Sequence, residues 1–143
     1  IVDMGCYEYA NSQADSDGDI MLDVWELQYG LNPTDPSDAS LDWDSDGLAN
    51  QGEWIADTDP TNKASLLRII GVEWDPLGAR VEWEGGMWAR QELEARSDLC
   101  DTGLVWFALL TNAPPTPATT NFVDTSAVTN SRLIYRIKAI RSN

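Results

Sequence analysis

Hydrophobic and polar residues alternate along the second half of the chain, with the period of two that is typical of β-strands. In the clearest segment, Leu133, Tyr135 and Ile137 fall on one face of the predicted strand. Arg136 and Lys138 fall on the opposite face. The same pattern, interrupted by turn-forming residues, predicts six strands, at residues 66–72, 79–84, 88–95, 105–110, 121–124 and 133–140.

These six predicted strands indicate an antiparallel β-sandwich over residues 65–143. Turn signals at DPLG (residues 75–78) and EGG (residues 84–86) separate the early strands. Sandwiches of this kind usually contain about seven strands. The pattern therefore predicts a sandwich that is one strand short.

The first ten residues, IVDMGCYEYA, also have the pattern of a strand. Val2, Met4 and Cys6 alternate with other residues, and Tyr7 and Tyr9 favour a pleated conformation. No partner strand is predicted before residue 66, and an isolated strand is not stable in water. Residues 1–14 are thus predicted to be a separate segment, whose strand pairs either with the sandwich of its own chain or with that of another copy.

The segment between these two parts, residues 15–64, is strongly acidic. Residues 1–64 hold 15 of the 24 acidic residues of the chain and one of its nine basic residues, Lys63. Such a density of carboxylates repels itself unless cations bind between them. The sequence has no basic patch for nucleic acid and no apolar run of membrane-spanning length, so we expect neither nucleic-acid binding nor membrane insertion.

Two copies of a twelve-residue pattern occur in this segment, DSDGDIMLDVWE (residues 15–26) and DWDSDGLANQGE (residues 42–53), at an offset of 27 residues. Oxygen-bearing side chains occupy positions 1, 3, 5, 9 and 12 of each copy, which is the ligand spacing of an EF-hand-type calcium loop with a backbone carbonyl at position 7. Short amphipathic runs at residues 24–29 and 53–56 are predicted to be helical. The pattern predicts two calcium ions. The predicted ligands are Asp15, Asp17, Asp19, the Met21 carbonyl, Asp23 and Glu26 for the first ion, and Asp42, Asp44, Asp46, the Leu48 carbonyl, Asn50 and Glu53 for the second.

Calcium suits this pattern better than zinc does. Calcium prefers six to eight hard oxygen ligands, whereas the chain has no histidine and only two cysteines, far apart in sequence. At position 6, where the loop must turn sharply, the second loop has Gly47 and the first has Ile20. We therefore expect either that Gly18 takes up the bend or that the first loop has altered geometry and weaker affinity. The alternative to calcium binding is a solvated acidic linker.

Residues 15–62, DSDGDIMLDVWELQYGLNPTDPSDASLDWDSDGLANQGEWIADTDPTN, resemble the paired calcium repeats of bacterial thrombospondin-type-3-like segments. They are also similar to dockerins, although dockerin helices are longer and the twelfth ligand there is usually aspartate. The phrases VEWEGG, SDL, TNFVDTSA and YRIKAI resemble the immunoglobulin-like or fibronectin-III-like modules that follow calcium repeats in bacterial surface proteins. The resemblances imply a mainly β extracellular or cell-surface protein: an N-terminal strand, two EF-hand-like calcium loops with short helices, and an antiparallel immunoglobulin-like β-sandwich.

In such an oxidising setting, the two cysteines of a chain of this size are expected to pair. A Cys6–Cys100 disulfide would fasten the first strand to a sandwich, within one chain or between neighbouring chains. The alternative is two unpaired, buried thiols. The stretch TNAPPTPATTN is most simply a polyproline-like loop, and its candidate O-glycosylation sites are Thr111, Thr116, Thr119 and Thr120.

The sequence offers little support for an enzyme. It has no histidine to act as a base, no glycine-rich phosphate loop and no nucleophile elbow. We expect a non-enzymatic structural or adhesive module, whose first strand either completes its own sandwich or joins copies head to tail into a filament. The alternatives are a carbohydrate- or cohesin-binding accessory module and the non-catalytic tail of a secreted enzyme. The seven tryptophans are expected to serve core and hairpin packing rather than a sugar-binding platform.

Overall fold

The computed structural model describes residues 13–97, 105–129 and 132–141. They form two compact units. The N-terminal unit holds residues 13–54 and 59–64, and the β unit holds residues 55–58 and the described residues from 65 onward. The predicted strand at residues 1–10 and the predicted Cys6–Cys100 disulfide lie outside the described residues.

The secondary structure described in the N-terminal unit consists of short helices. Helix α1 spans Asp23–Tyr29, a 3-10 helix spans Asp38–Ser40, and helix α2 spans Asn50–Ala56, with its last two residues in the β unit. α1 ends at Gly30, whose φ of 83° is left-handed and whose N–H donates to the carbonyl oxygen of Glu26. The two predicted helical runs are therefore confirmed, and α2 begins earlier than predicted.

Aromatic side chains form the core of the N-terminal unit. Trp25 of α1 and Trp54 of α2 meet edge to face, with ring centroids 5.5 Å apart. Tyr29 packs against Trp25 at 4.9 Å, and Met21 and Leu31 are buried as well. The apolar faces of α1 and α2 thus pack together, and each of these helices begins inside one of the acidic loops.

Six strands form the β unit, and each overlaps one predicted strand. They make two antiparallel sheets with the strand orders β1-β2-β5 and β4-β3-β6. The prediction of a mainly β chain with two short helices is confirmed. The strands are β1 (Arg68–Asp75), β2 (Gly78–Glu84), β3 (Arg90–Arg96), β4 (Phe107–Asn112), β5 (Thr119–Asp124) and β6 (Ile134–Ile140).

The core of the β unit draws on both sheets. Val81 and Trp83 of β2 and Leu93 of β3 are at most 1% exposed and form one cluster. The indole N–H of Trp83 donates to Oε1 of Gln91 at 2.8 Å. Gln91 in turn donates from Nε2 to the Gly86 carbonyl at 2.9 Å. The polar groups in this core are therefore hydrogen-bonded, as buried polar groups usually are.

β1 differs from its prediction in length, and its register is irregular. The strand contains an irregularity between Ile69 and Gly71, after which Val72 pairs with Val81. Directly opposed residues of antiparallel strands project from the same face, so Val72 projects from the same face as the buried Val81. Trp74, which pairs with the buried Ala79, lies on that face too. Yet Val72 is 53% exposed and Trp74 71% exposed, so the inner face of β1 is incompletely covered.

A groove of about 210 Å³ lies at this place. Its lining includes Val72, Trp74 and Ala79 of the first sheet, and Leu133 and Tyr135 at the β6 side. Among the described residues, β1 pairs only with β2, and β6 pairs only with β3. Both strands bordering the groove therefore have a free hydrogen-bonding edge within the described part of the chain.

The tryptophans divide between core and surface. The ring of Trp106 lies 4.2 Å from the guanidinium carbon of Arg136, a cation–π contact. Of the other six tryptophans, three are buried in core packing and three are exposed. The buried ones are Trp25, Trp54 and Trp83, and the exposed ones are Trp43, Trp74 and Trp88.

Candidate metal centre

The first three predicted side-chain ligands of each loop lie close together. Their candidate ligand oxygens come within 4.8 Å of one another, in the groups Asp15, Asp17, Asp19 and Asp42, Asp44, Asp46. The structure therefore assembles two carboxylate clusters at the positions that the sequence spacing predicts, and these acidic clusters could hold metal ions.

The aspartate at position 1 organises each loop. Asp15 accepts hydrogen bonds from the N–H groups of Gly18 (2.7 Å) and Ile20 (3.1 Å), one on each carboxylate oxygen. Asp42 accepts the corresponding bonds from positions 4 and 6 of the second loop, at 2.8 and 2.9 Å. The two loops therefore fold on one plan.

Positions 4 and 6 both take a left-handed backbone. The φ values of Gly18 and Ile20 are 81° and 78°, and those of Ser45 and Gly47 are 65° and 100°. Ile20 therefore adopts the left-handed conformation that the turn requires, as Gly18 also does, and the first loop keeps the backbone of the second. Each loop places glycine at one of the two positions and an L-residue, which is strained there, at the other.

The carboxylates at positions 3 and 5 each use one oxygen to hold the loop. Asp17 accepts the N–H of Asp19 at 3.3 Å, and Asp19 accepts the N–H of Met21 at 2.8 Å, both through Oδ1. Their Oδ2 atoms are buried and have no hydrogen-bond partner. Asp44 and Asp46 repeat this arrangement, with Oδ1 accepting a backbone N–H at 3.1 and 2.7 Å and Oδ2 buried without a partner.

Glu26, at position 12 of the first loop, joins the same cluster. Its side chain is fully buried, and neither carboxylate oxygen has a hydrogen-bond partner. Its candidate ligand oxygen lies within 4.8 Å of those of Asp19 and Asp38. Asp38 is not predicted from the sequence as a ligand, because it lies outside both twelve-residue patterns, in a run of turn-forming residues (NPTDPSDAS) where aspartate usually serves a turn.

Position 9 differs between the loops. Both carboxylate oxygens of Asp23 accept hydrogen bonds from Ser16, from its N–H and its hydroxyl, each at 2.7 Å. Asp23 therefore holds the loop closed through Ser16, and its role as a ligand stays a prediction. The equivalent Asn50 is fully buried, donates from Nδ2 to the carbonyl oxygen of Asp38 at 2.8 Å, and leaves Oδ1 buried without a partner. Glu53, at position 12, is fully buried.

The electrostatics of the clusters are unfavourable without a cation. Burial, with the nearby charge of Asp19, raises the pKa of Glu26 to about 7. Burial likewise raises the pKa of Asp19 and, together with the Asp46 carboxylate, that of Asp44. Lys63 is the only basic residue in residues 13–54 and 59–64, and it is exposed. No protein cation is therefore placed to compensate these carboxylates within that range.

The donor set fits a hard divalent cation. Carboxylate and amide oxygens are the ligands that calcium prefers, and the first cluster alone gathers several of them within 4.8 Å. In the aspartates at positions 3 and 5, the unpartnered oxygen is available to an ion while the other oxygen holds the backbone. The carbonyl ligands Met21 and Leu48 stay predictions.

The four candidate O-glycosylation sites differ in accessibility. Thr111 and Thr119 are exposed and Thr120 is half-buried. Thr116 is only 2% exposed, and its hydroxyl donates to the Gly86 carbonyl at 2.7 Å. A sugar on Thr116 would have to displace this contact.

A search of protein families, curated proteins and solved structures found no match to this chain. No helix among the described residues has the length and apolar character needed to cross a membrane.

Proposed function

We propose that the N-terminal unit binds two calcium ions, one in each acidic loop, and that these ions hold it folded. The observation that carries the proposal is the buried carboxylate and amide oxygens without hydrogen-bond partners, which occur at ligand positions in both loops. Leaving such groups unpaired costs about 1–3 kcal/mol each, and more when they are charged. A bound cation removes that cost and the repulsion between neighbouring carboxylates.

Folding and binding are expected to be coupled. The apolar core of this unit is small, and a site that does not exist in the unfolded chain turns ion binding into folding free energy. The first ion would take oxygens from Asp17, Asp19 and Glu26, and the second from Asp44, Asp46 and Asn50. In this role the unit is a calcium-dependent structural element without enzymatic activity, suited to an extracellular or cell-surface setting.

Calcium titration and chelation test this proposal. Calorimetry should give two ions per chain, and the Glu26→Gln variant should bind one. A chelator should make residues 15–64 sensitive to protease, and calcium, but not the same concentration of magnesium, should restore resistance, because magnesium demands a tighter octahedral geometry. Unchanged proteolysis and melting temperature after chelation would show that the loops fold without ions.

The β unit supports a second proposal, head-to-tail self-assembly by strand addition. The observation that supports it is the groove between β1 and β6, where Val72 and Trp74 lie exposed on the inner face of the first sheet. In an immunoglobulin-like sandwich of seven strands, the last strand pairs with the one before it, and β6 has a free edge among the described strands. A strand inserted beside β6 would cover both side chains.

The occupant that we propose is residues 1–10 of a second copy. That segment alternates Val2, Met4 and Cys6 along one face, which matches what a groove between two sheets accepts. The calcium-filled unit, which separates this strand from the β unit in sequence, would act as a spacer. A head-to-tail contact that does not close into a ring gives a filament, and a Cys6–Cys100 disulfide at the junction would make it covalent.

Deletion of residues 1–10 tests the assembly. Full-length protein with calcium should form filaments in electron micrographs, and the deleted chain should stay as subunits that stop elongation when mixed in. The variant Val72→Glu should block addition, whereas Ile70→Glu, on the same strand but outside the groove, should not. A full-length protein that stays monomeric at high concentration would place the strand in its own sandwich. Non-reducing electrophoresis distinguishes a ladder of linked chains from an internal disulfide or two free thiols.

A further inference from the structure

Asp38 lies in the linker between the two acidic loops, and only one of its two carboxylate oxygens accepts a hydrogen bond. It begins the 3-10 helix Asp38–Ser40 and is 7% exposed. Its Oδ2 accepts the N–H of Asn32 at 2.8 Å. Its Oδ1 is buried and has no hydrogen-bond partner. One half of the carboxylate therefore fixes the side chain, and the other half is left for a ligand.

The carboxylate of Asp38 meets the first acidic cluster. Candidate ligand oxygens of Asp38, Asp19 and Glu26 lie within 4.8 Å of one another. All three residues are buried, and Glu26 contributes two further oxygens without partners. Three buried carboxylates at this separation repel one another strongly unless a cation lies between them.

We infer that Asp38 is a direct ligand of the first calcium ion, so that this site extends beyond its twelve-residue loop into the linker. The inference rests on the proposed calcium sites and adds to them a residue that no loop position supplies. Both oxygens of Asp23 accept hydrogen bonds from Ser16, whereas Oδ1 of Asp38 has no partner. The first site then has unpartnered carboxylate oxygens from Asp17, Asp19, Glu26 and Asp38.

The additional carboxylate has a chemical consequence for affinity. Calcium affinity rises with the number of charged ligands and the rigidity of the site, and Asp38 contributes both a charge and a position fixed by the linker backbone. A weaker first site is one of the two outcomes predicted from Ile20 at position 6. With Asp38 as a ligand, we expect the first site to bind at least as tightly as the second.

The variant Asp38→Asn tests the inference by calorimetry. The amide can still accept the Asn32 N–H, so the linker keeps its shape while one charged oxygen is lost. We expect the affinity of one of the two ions to fall roughly 10- to 100-fold. The matched control is Asp35→Asn, which removes the same charge from an exposed residue three positions earlier, where the carboxylate caps the Ser37 N–H and hydroxyl.

Terbium luminescence separates a lost ligand from a weakened fold. At saturating terbium, decay lifetimes in light and heavy water count the waters on the bound ion. Asp38→Asn should add about one water at one site, since water replaces a missing ligand, and Asp35→Asn should add none. Equal isotherms and equal hydration for the two variants would overturn the role of Asp38 while leaving two-ion binding intact, whereas no binding by the unaltered protein would overturn the proposed function itself.

Discussion

Positions 4 and 6 of the acidic loops allow the backbone geometry to be tested by a reciprocal exchange. Gly18 and Ser45 occupy the same position with φ values of 81° and 65°. An ideal Cβ at Gly18 meets no atom within 4 Å, and Ser45 is exposed, so substitutions at either position act through backbone conformation alone. Ile20 is less suitable for this test, because its side chain is only 40% exposed and its removal would also uncover apolar surface.

The left-handed conformation costs an L-residue roughly 1–2 kcal/mol. Glycine avoids this cost, but the greater entropy of its unfolded chain offsets roughly 0.4–1 kcal/mol of the gain. The difference is about 1 kcal/mol in each direction. Ser45→Gly should therefore raise the melting temperature of the N-terminal unit, and Gly18→Ser should lower it, by about 4–8 °C for a domain of this size.

Scanning calorimetry in excess calcium measures both shifts, with the unaltered chain as reference. Calcium titration of the same variants should show affinity changing in the same direction as stability, because binding and folding are linked. Shifts of the same sign for the two variants, or no shift in either, would mean that the loops do not share the described backbone.

Two further predictions concern the β unit. Gly86→Ala should destabilise it by about 1–3 kcal/mol in denaturant unfolding, because an added Cβ would lie 2.1 Å from the carbonyl oxygen of Asp57; Gly71→Ala, with no atom within 4 Å, should change stability far less. Gln91→Leu should cost about 1–3 kcal/mol, because it leaves the buried indole N–H of Trp83 without its acceptor; a neutral result by the same measurement would show that another acceptor replaces it.

The strands were predictable because apolar and polar residues alternate along them with the period of two that a sheet requires. β1 shows where this reasoning stops. The predicted strand ended at residue 72, whereas β1 continues to Asp75, because a two-residue turn at residues 76–77 lets the first hairpin pair up to its end. The irregularity near Ile69 reverses the facing of the following residues, and alternation alone does not reveal such a shift.

The metal site was predictable to the extent that its ligands are local. Spacing selected Asp17, Asp19 and Glu26, and the structure brings candidate oxygens of these residues into the first cluster, since the three residues belong to one loop. Spacing did not identify Asp38, which reaches the cluster through the packing of the linker. Contacts of this second kind depend on tertiary structure, and a single sequence does not encode them as a pattern.

The hydrogen bond from Nδ2 of Asn50 to the carbonyl oxygen of Asp38 has a consequence for the dose response to calcium. Asp38 contributes its side chain to the first cluster, and its main chain orients the Asn50 side chain in the second loop. Filling one loop therefore lowers the cost of ordering the other, and linkage makes this effect reciprocal. We expect the N-terminal unit to respond to rising calcium as a threshold, over a narrower concentration range than two independent loops would give.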